Sequence, residues 1–200
     1  MVFSAVGGAM NKNKLFWLMI GTLLASSSYF GLNAEARRRE VQRFETSLED
    51  GANVTLVSVI DGDTVVVRDE EGGSVAVRFL GVKSFDPTRD KLAESRFGRN
   101  AMDAITELLR DRTAVVELND PPKDKYGRTL ARLSVDGQDV GLSLVQRGLV
   151  LVYTAFPFAH MGEYLHEQER ARAGRVGLWM NPEIARQADL LDREWRRQAR

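Results

Sequence analysis

The chain has no cysteine among its 200 residues and contains two histidines. The absence of cysteine excludes disulfides, thiolate nucleophiles and cysteine-based zinc sites. His160 and His166 are six residues apart, a spacing that does not place two metal ligands on one face of a helix. We expect both histidines to be solvated.

The sequence also lacks an excess of charge of one sign, since 28 lysines and arginines balance 28 aspartates and glutamates. Residues 52–185 carry 17 basic and 20 acidic side chains, a net charge of −3. No global basic field therefore draws this region onto a polyanion, and any contact with phosphate has to be local. The composition, 44% hydrophobic and 28% charged, is that of a globular domain.

The N-terminal part of the chain is different. Residues 15–32, LFWLMIGTLLASSSYFGL, form a run of 18 residues without a charge, which is long enough for a marginal membrane span. We expect an N-terminal lead at 1–14, an uncleaved single-pass transmembrane anchor at 15–34 and a linker at 35–51. The alternative is a signal segment that is cleaved after the small residues near Ala34.

The charges that flank this run predict on which side of the membrane the following domain lies. Four arginines (Arg37, Arg38, Arg39 and Arg43) outnumber the two lysines that precede the run. The positive-inside rule then favours a cytoplasmic location for the domain that follows.

Residues 52–184 alternate between short strands and turn signals. Strand patterns rich in β-branched residues are separated by EEGG and PPKDKYG, and amphipathic helical spacing follows the third strand. Five short strands with about three helices predict an α+β, mainly β, fold: a five-stranded OB-fold barrel. We expect residues 185–200 to be a polar, solvated C-terminal extension.

Several charged and polar residues lie where these strands end. Asp61 and Asp63 stand at the junction of two strands, and Arg78 lies in the strand that follows. Buried arginine is costly unless it meets an anion. Two arginines near carboxylates can grip a phosphate and position a water. The further candidates in the strand-end loops are Thr64, Ser84, Asp86, Asp90 and Arg128.

Three segments, VIDGDTVVV, VRFLGV and DKYGRTLARLSVDGQDVGLSLVQRGLV, resemble the staphylococcal nuclease (thermonuclease) family in order and spacing, over roughly residues 53–181. The resemblance implies a Ca²⁺-dependent nuclease that cuts single-stranded or frayed DNA and RNA at the phosphorus–5′-oxygen bond. Asp63 matches the metal-binding aspartate, and Arg78 and Arg128 match the phosphate-binding arginines. Asp61 and Thr64 match supporting positions. A calcium requirement favours an extracytoplasmic domain, against the arginine count.

The segment FLGVKSFDP departs from the family pattern. Lys83 stands where an aspartate ligand is expected, Ser84 where a backbone carbonyl binds the metal, and Asp86 where the glutamate base is expected. In a second register, Asp86 is the metal ligand and Asp90 the base. In a third interpretation, Lys83 replaces the cation outright.

Simpler interpretations remain for each candidate. Asp61 and Asp63 suit a structural turn. Arg78 suits a strand-to-strand ion pair with a structural carboxylate such as Glu117, and Arg128 suits a cap of its own loop. Tyr126 is either core or a stacking platform for a base, and Tyr153 is either a wall residue or a sugar contact. The rival function is a catalytically degenerate barrel that binds single-stranded nucleic acid or a protein without cutting.

Overall fold

The computed structural model describes residues 48–86, 92–124 and 126–198. The predicted lead, the anchor at 15–34 and most of the linker lie outside the described residues, and so does Asp90. None of the described helices is long and apolar enough to cross a membrane.

The described residues form eight strands and four α-helices. The strands are β1 (Asn53–Asp61), β2 (Thr64–Asp69), β3 (Ser74–Phe79), β4 (Val82–Lys83), β5 (Thr113–Lys123), β6 (Thr129–Val135), β7 (Gln138–Asp139) and β8 (Leu151–Val152). The helices are α1 (Leu92–Leu109), α2 (Val140–Gln146), α3 (Met161–Ala173) and α4 (Pro182–Gln198), with a 3₁₀ turn at Gly177–Met180. The sequence predicted about three helices, so α4 is the addition.

Five of these strands close into a barrel, as the sequence predicted. Strands β1, β2 and β3 form an antiparallel meander, and β5 pairs with both β1 and β6. The barrel closes where β6 pairs in parallel with β3, so that Arg78 lies opposite Leu130. This closure brings together two chain segments that are about fifty residues apart in sequence.

The barrel interior follows from the alternation of apolar residues along the strands. Val65 and Val67 of β2, and Val75, Val77 and Phe79 of β3, are each at most 2% exposed. β-Branched and aromatic side chains suit the pleated surface of a strand and bury well against its neighbours. Helix α1 packs on this core through Ala101, Ile105 and Leu109.

Helix α4 covers a second core beside the barrel. Ile184, Ala188 and Trp195 of this helix are buried together with Phe85, Leu151 and other apolar residues. We expected residues 185–200 to be a solvated extension, whereas residues 182–198 form a packed helix. Its apolar stripe is narrow because charged residues fill the other faces, so burial depends on a few large side chains.

Asp139 connects the barrel to the helices. It caps α2 by accepting from Leu142 N at 3.0 Å, and it also accepts from Tyr164 Oη at 2.8 Å and Arg132 Nε at 2.6 Å. Burial, and then the charge of Asp139, raise the pKa of Tyr164. Arg132 also pairs with Glu117 at 2.9 Å, which is the carboxylate considered above as a partner of Arg78.

Candidate active site

The turn between β1 and β2 presents Asp61 and Asp63. Asp61 Oδ1 accepts from the backbone N of Asp63 at 2.9 Å, which closes the turn. Gly62 is required here, because a Cβ at this position would lie 2.7 Å from Ser84 Cβ and 2.8 Å from Ala101 Cβ. The missing side chain therefore lets the turn approach α1 and the segment after β4.

The carboxylate of Asp63 is 2% exposed and surrounded by donors. Arg78 Nη1 lies 2.9 Å from Oδ1, and Thr64 Oγ1 donates to Oδ1 at 3.1 Å. Ser84 N donates to Oδ2 at 2.8 Å, and Lys83 Nζ lies 3.9 Å from Oδ2. Asp63 is therefore a buried anion with two cationic neighbours.

The two aspartates of the turn differ in acidity. Burial by itself would raise the pKa of Asp63, but the charges of Arg78 and Lys83 outweigh it and hold the pKa below its usual value. Burial, and then the negative charge of Asp63, raise the pKa of Asp61 to about 6. Near neutral pH the pair thus holds one firmly ionised carboxylate and one that titrates close to the working range.

Arg78 is held by backbone oxygens as well as by Asp63. Its Nη2 donates to Val82 O at 2.7 Å, and its Nη1 donates to Asp63 O at 3.2 Å and Phe79 O at 3.3 Å. These bonds use the two terminal nitrogens, and a guanidinium carries a further donor at Nε. Arg78 pairs with the buried carboxylate of Asp63, whereas Glu117 pairs with Arg132, so Glu117 is not the partner of Arg78.

Arg128 is fixed by the turn that precedes β6. Its Nε and Nη2 lie 2.9 Å and 2.7 Å from Asp124 Oδ2, and its guanidinium lies 5.6 Å from the ring centroid of Tyr126. Asp124 Oδ1 also accepts from the backbone N of Tyr126 and of Arg128. This aspartate therefore shapes the turn and orients the arginine at the same time.

One cavity of about 820 Å³ is lined by both arginines. Arg128 is two residues before Leu130, the residue that pairs with Arg78 across the β3–β6 closure. The other charged and aromatic residues that line the cavity are Lys83, Asp120, Lys123, Asp124, Tyr126, Tyr153, Phe156 and Trp195. Two arginines from distant parts of the chain thus line one concave surface.

Comparison with known proteins agrees with this geometry. The family described as "Staphylococcal nuclease homologue" matches residues 76–181, which is more than half of the chain. The chain belongs to the staphylococcal nuclease family.

Several relatives within this family carry nuclease names. An uncharacterized endonuclease of Haemophilus influenzae is 28% identical over 145 residues, covering 72% of each chain. The thermonuclease of Staphylococcus intermedius is 30% identical over 99 residues, which is 50% of this chain and 58% of the thermonuclease. Endonuclease YncB of Bacillus subtilis is 30% identical over 130 residues, which is 64% of this chain and 61% of YncB. The matches to the latter two span less than two thirds of those relatives.

The family resemblance implied a calcium site at Asp63, and the groups around this carboxylate can be compared with the ligands that Ca²⁺ prefers. Ca²⁺ takes roughly six to eight oxygen ligands, whereas both oxygens of Asp63 already accept from neighbours and Lys83 places an ammonium beside one of them. Ser84 directs its amide, not its carbonyl, at Asp63. The described residues contain no cluster of three or more histidine, aspartate or glutamate side chains suited to a metal. This donor set does not fit the calcium site that the resemblance implied.

The remaining predicted residues differ in their relation to the cavity: among the described residues, Tyr126 and Tyr153 line it, whereas Ser84 and Asp86 do not. Ser84 is buried and Asp86, two residues further on, is half-buried. Tyr126 is 56% exposed, so it lies on the cavity surface and not in the core. Tyr153 lines the same cavity and packs its ring edge-on to Trp195, with centroids 5.0 Å apart.

Three residues that line the cavity, Phe156, Trp195 and Gln198, were not predicted from the sequence. Trp195 and Gln198 come from α4, which begins just after the family match ends, and Phe156 comes from the loop after β8. Phe156 is 70% exposed and would not be recognised by periodicity. The apolar stripe of α4 was visible in the sequence, but nothing there indicated which surface it covers.

Proposed function

We propose that this protein is a phosphodiesterase that hydrolyses DNA, RNA or both. The observation that carries the proposal is the single cavity lined by Arg78 and Arg128, beside a buried carboxylate that holds Arg78 in place. Arginine suits this task because its planar fork matches phosphate oxygens and stays charged at any working pH.

In the proposed mechanism, a phosphodiester enters the cavity and its non-bridging oxygens accept from Arg78 and Arg128. A water oxygen forms a bond to phosphorus, the bond to the 5′ oxygen breaks, and a proton returns to that leaving oxygen. Asp86 accepts the proton of the attacking water. The arginines stabilise the negative charge that accumulates on the pentacoordinate phosphorus.

Whether cutting by this protein depends on calcium is tested separately from whether it cuts at all. The resemblance implies it, but the described carboxylates do not present the oxygen cluster that Ca²⁺ prefers. A metal supplies charge compensation and an acidified water when one is bound. Measuring cutting with calcium and with chelator decides whether this chain uses that chemistry.

The second candidate function is a nuclease-fold module that binds single-stranded nucleic acid or a protein partner without cutting. Lys83 favours it, because its ammonium lies where the family pattern has an acidic ligand and is 3.9 Å from Asp63 Oδ2. Binding would use the same arginines and the exposed Tyr126 as a stacking surface. Absence of cleavage together with retained binding would support it.

The nuclease test uses the full chain in detergent with denatured DNA and RNA as substrates. Arg128→Ala is expected to lower kcat/KM by about 100-fold or more, since it removes a donor to the developing charge. Arg147→Ala is the matched control. Arg147 is an exposed arginine paired with Glu107 at 3.3 Å and lies outside the cavity lining, so cutting should be unchanged. Equal activity of both variants would overturn the proposal.

We also propose that residues 15–34 tether the protein to a membrane as a single pass, with the domain on the extracytoplasmic side. The support for the tether is the uncharged run at residues 15–32. The extracytoplasmic side rests on the family resemblance alone, because the donor set around Asp63 does not fit calcium. The test is alkaline extraction of membranes followed by protease treatment of intact cells. Release into the alkaline supernatant would contradict the anchor, and protection from protease would contradict the extracytoplasmic face.

A further inference from the structure

Three consecutive residues around β4 bind the Arg78–Asp63 pair. Val82 O accepts from Arg78 Nη2 at 2.7 Å, Lys83 Nζ lies 3.9 Å from Asp63 Oδ2, and Ser84 N donates to that oxygen at 2.8 Å. Val82 is fully buried, and β4 is pinned by its pairing with β8. The backbone that carries Lys83 is therefore fixed relative to the carboxylate.

Lys83 also belongs to the cavity. It lines the cavity with Arg78 and Arg128, and its side chain is 51% exposed. The Lys83 side chain thus borders both the carboxylate of Asp63 and the open volume of the cavity, where a phosphate would lie. A cation placed between a buried carboxylate and a bound phosphate occupies the electrostatic position of a metal ion.

The positive charges around Asp63 disfavour the binding of a divalent cation there. Asp63 and the neighbouring Asp61 contribute two carboxylates, and Arg78 and Lys83 already place two positive charges within 4 Å of Asp63. A further cation would be repelled by both of these positive groups. A phosphate, in contrast, would meet a cavity in which, among the described residues, four basic residues, Arg78, Lys83, Lys123 and Arg128, outnumber the acidic lining residues Asp120 and Asp124.

We infer that Lys83 takes the place of the divalent cation, so that binding and cleavage of the phosphodiester do not need calcium. This inference rests on the proposed function. Lys83 donates to a non-bridging phosphate oxygen and compensates its charge. No bond to Lys83 forms or breaks, so the hydrolysis itself remains the exchange of one phosphorus–oxygen bond for another, with water as the nucleophile.

The test compares the full wild-type chain with Lys83→Met, Lys83→Arg and Lys83→Asp, each in calcium and in chelator. Lys123→Met is the matched control, because Lys123 is the other lysine among the described residues and lines the same cavity from β5. The readouts are the melting temperature with calcium alone, the affinity for a single-stranded oligodeoxynucleotide, and the cutting rate.

We expect the wild type to cut equally in calcium and in chelator, with no calcium-dependent rise in melting temperature. Lys83→Met should lower cutting by about tenfold or more, with Lys83→Arg restoring most of it, because a positive donor is what the site requires. Lys123→Met should lower affinity by about twofold through the general loss of charge. Lys83→Asp should gain a calcium-dependent rise in melting temperature and calcium-dependent cutting, because a carboxylate replaces the ammonium.

Two results would overturn the inference: wild-type cutting that requires calcium, or Lys83→Met that cuts as well as Lys123→Met. If the wild type cuts under neither condition, the proposed nuclease function fails, and the binding data then decide the role of Lys83 by themselves. An affinity loss in chelator for Lys83→Met well beyond that of Lys123→Met supports the contact with phosphate, and equal losses reject it. Circular dichroism of each variant separates these effects from unfolding.

Discussion

Arg78 and Asp63 form a buried ion pair, with Nη1 lying 2.9 Å from Oδ1 and the carboxylate 2% exposed. Removing one partner of such a pair leaves an uncompensated buried charge and is strongly destabilising. Truncating Arg78 would therefore lower activity both by removing a catalytic group and by destabilising the fold, and the two effects could not be separated. Arg78→Lys, which keeps the positive charge, is therefore the more informative change at this position.

Gly62→Ala is expected to destabilise the fold. The new Cβ would lie 2.7 Å from Ser84 Cβ and 2.8 Å from Ala101 Cβ, so the turn has to move away from both, at a cost of about 1–3 kcal/mol. Urea unfolding measures the change. Gly162→Ala in α3 is the control, because nothing lies within 4 Å of its added Cβ and alanine favours a helix. A loss of stability in Gly162→Ala as large as that in Gly62→Ala would contradict the steric explanation.

Asp61 is expected to make stability fall as the pH rises through about 6. Its pKa in the folded protein is raised to about 6 from 3.8, chiefly by burial. The protonated form is therefore favoured by the fold, its contribution is complete below the unfolded pKa, and it is lost as the pH passes the folded pKa. For a half-buried group we expect about 1–2 kcal/mol between about pH 4 and about pH 7.

The check is to measure the free energy of unfolding of wild type and Asp61→Asn at both pH values. Asparagine cannot titrate, so the variant should lose this part of the pH dependence. The depressed pKa of Asp63 acts in the other direction and below this window, because its contribution is lost as the pH falls under 3.8. An unchanged pH profile in Asp61→Asn would show that Asp61 titrates normally.

Trp195→Ala is expected to cost about 3–4 kcal/mol of stability. Trp195 is 8% exposed and packs against Tyr153 with ring centroids 5.0 Å apart. Leu190→Ala on the same helix is the control, since Leu190 is 64% exposed and its truncation should change stability by less than about 0.5 kcal/mol. Similar small losses in the two variants would mean that α4 does not pack on the second core in solution.

Phe156→Ala is expected to weaken binding of single-stranded DNA. Phe156 is 70% exposed and lines the cavity, and stacking of a base on an aromatic ring contributes about 1–3 kcal/mol. Fluorescence anisotropy with a labelled oligonucleotide measures the loss. Met180→Ala, which removes a side chain of similar exposure, 71%, from outside the cavity lining, should bind normally. Equal affinities for the two variants would exclude stacking on Phe156.

Much of the barrel was readable from the sequence because its signals are local. Alternating β-branched residues mark β2 and β3, and glycine-containing turns separate them. The pairing of Asp63 with the arginine strand was also within reach, since β2 directly follows the turn and pairs with β3, with Thr64 opposite Arg78. The convergence of Arg78 with Arg128 needed the family resemblance, because the parallel closure of β3 on β6 joins distant segments.

The parts that sequence could not provide depend on side-chain direction in irregular segments. Lys83 lies in a two-residue strand, where alternation cannot be read, so its place beside Asp63 was implied by the family resemblance and not by periodicity. Helix α4 carries many charges along a narrow apolar stripe, and the pattern does not reveal that Trp195 reaches Tyr153. Tyr126 was ambiguous between core and surface, because the loop that carries it has no periodicity.

The most direct test of the central claim is a double-mutant cycle with Arg78→Lys and Arg128→Lys, using a dinucleotide that contains a single phosphodiester. If both guanidinium groups act on one phosphorus, each change should lower the single-turnover rate by about 100-fold, and the double variant should lose much less than the product of the two. A normal rate for either single variant, or effects that multiply fully, would contradict the convergence of Arg78 and Arg128 on one phosphate.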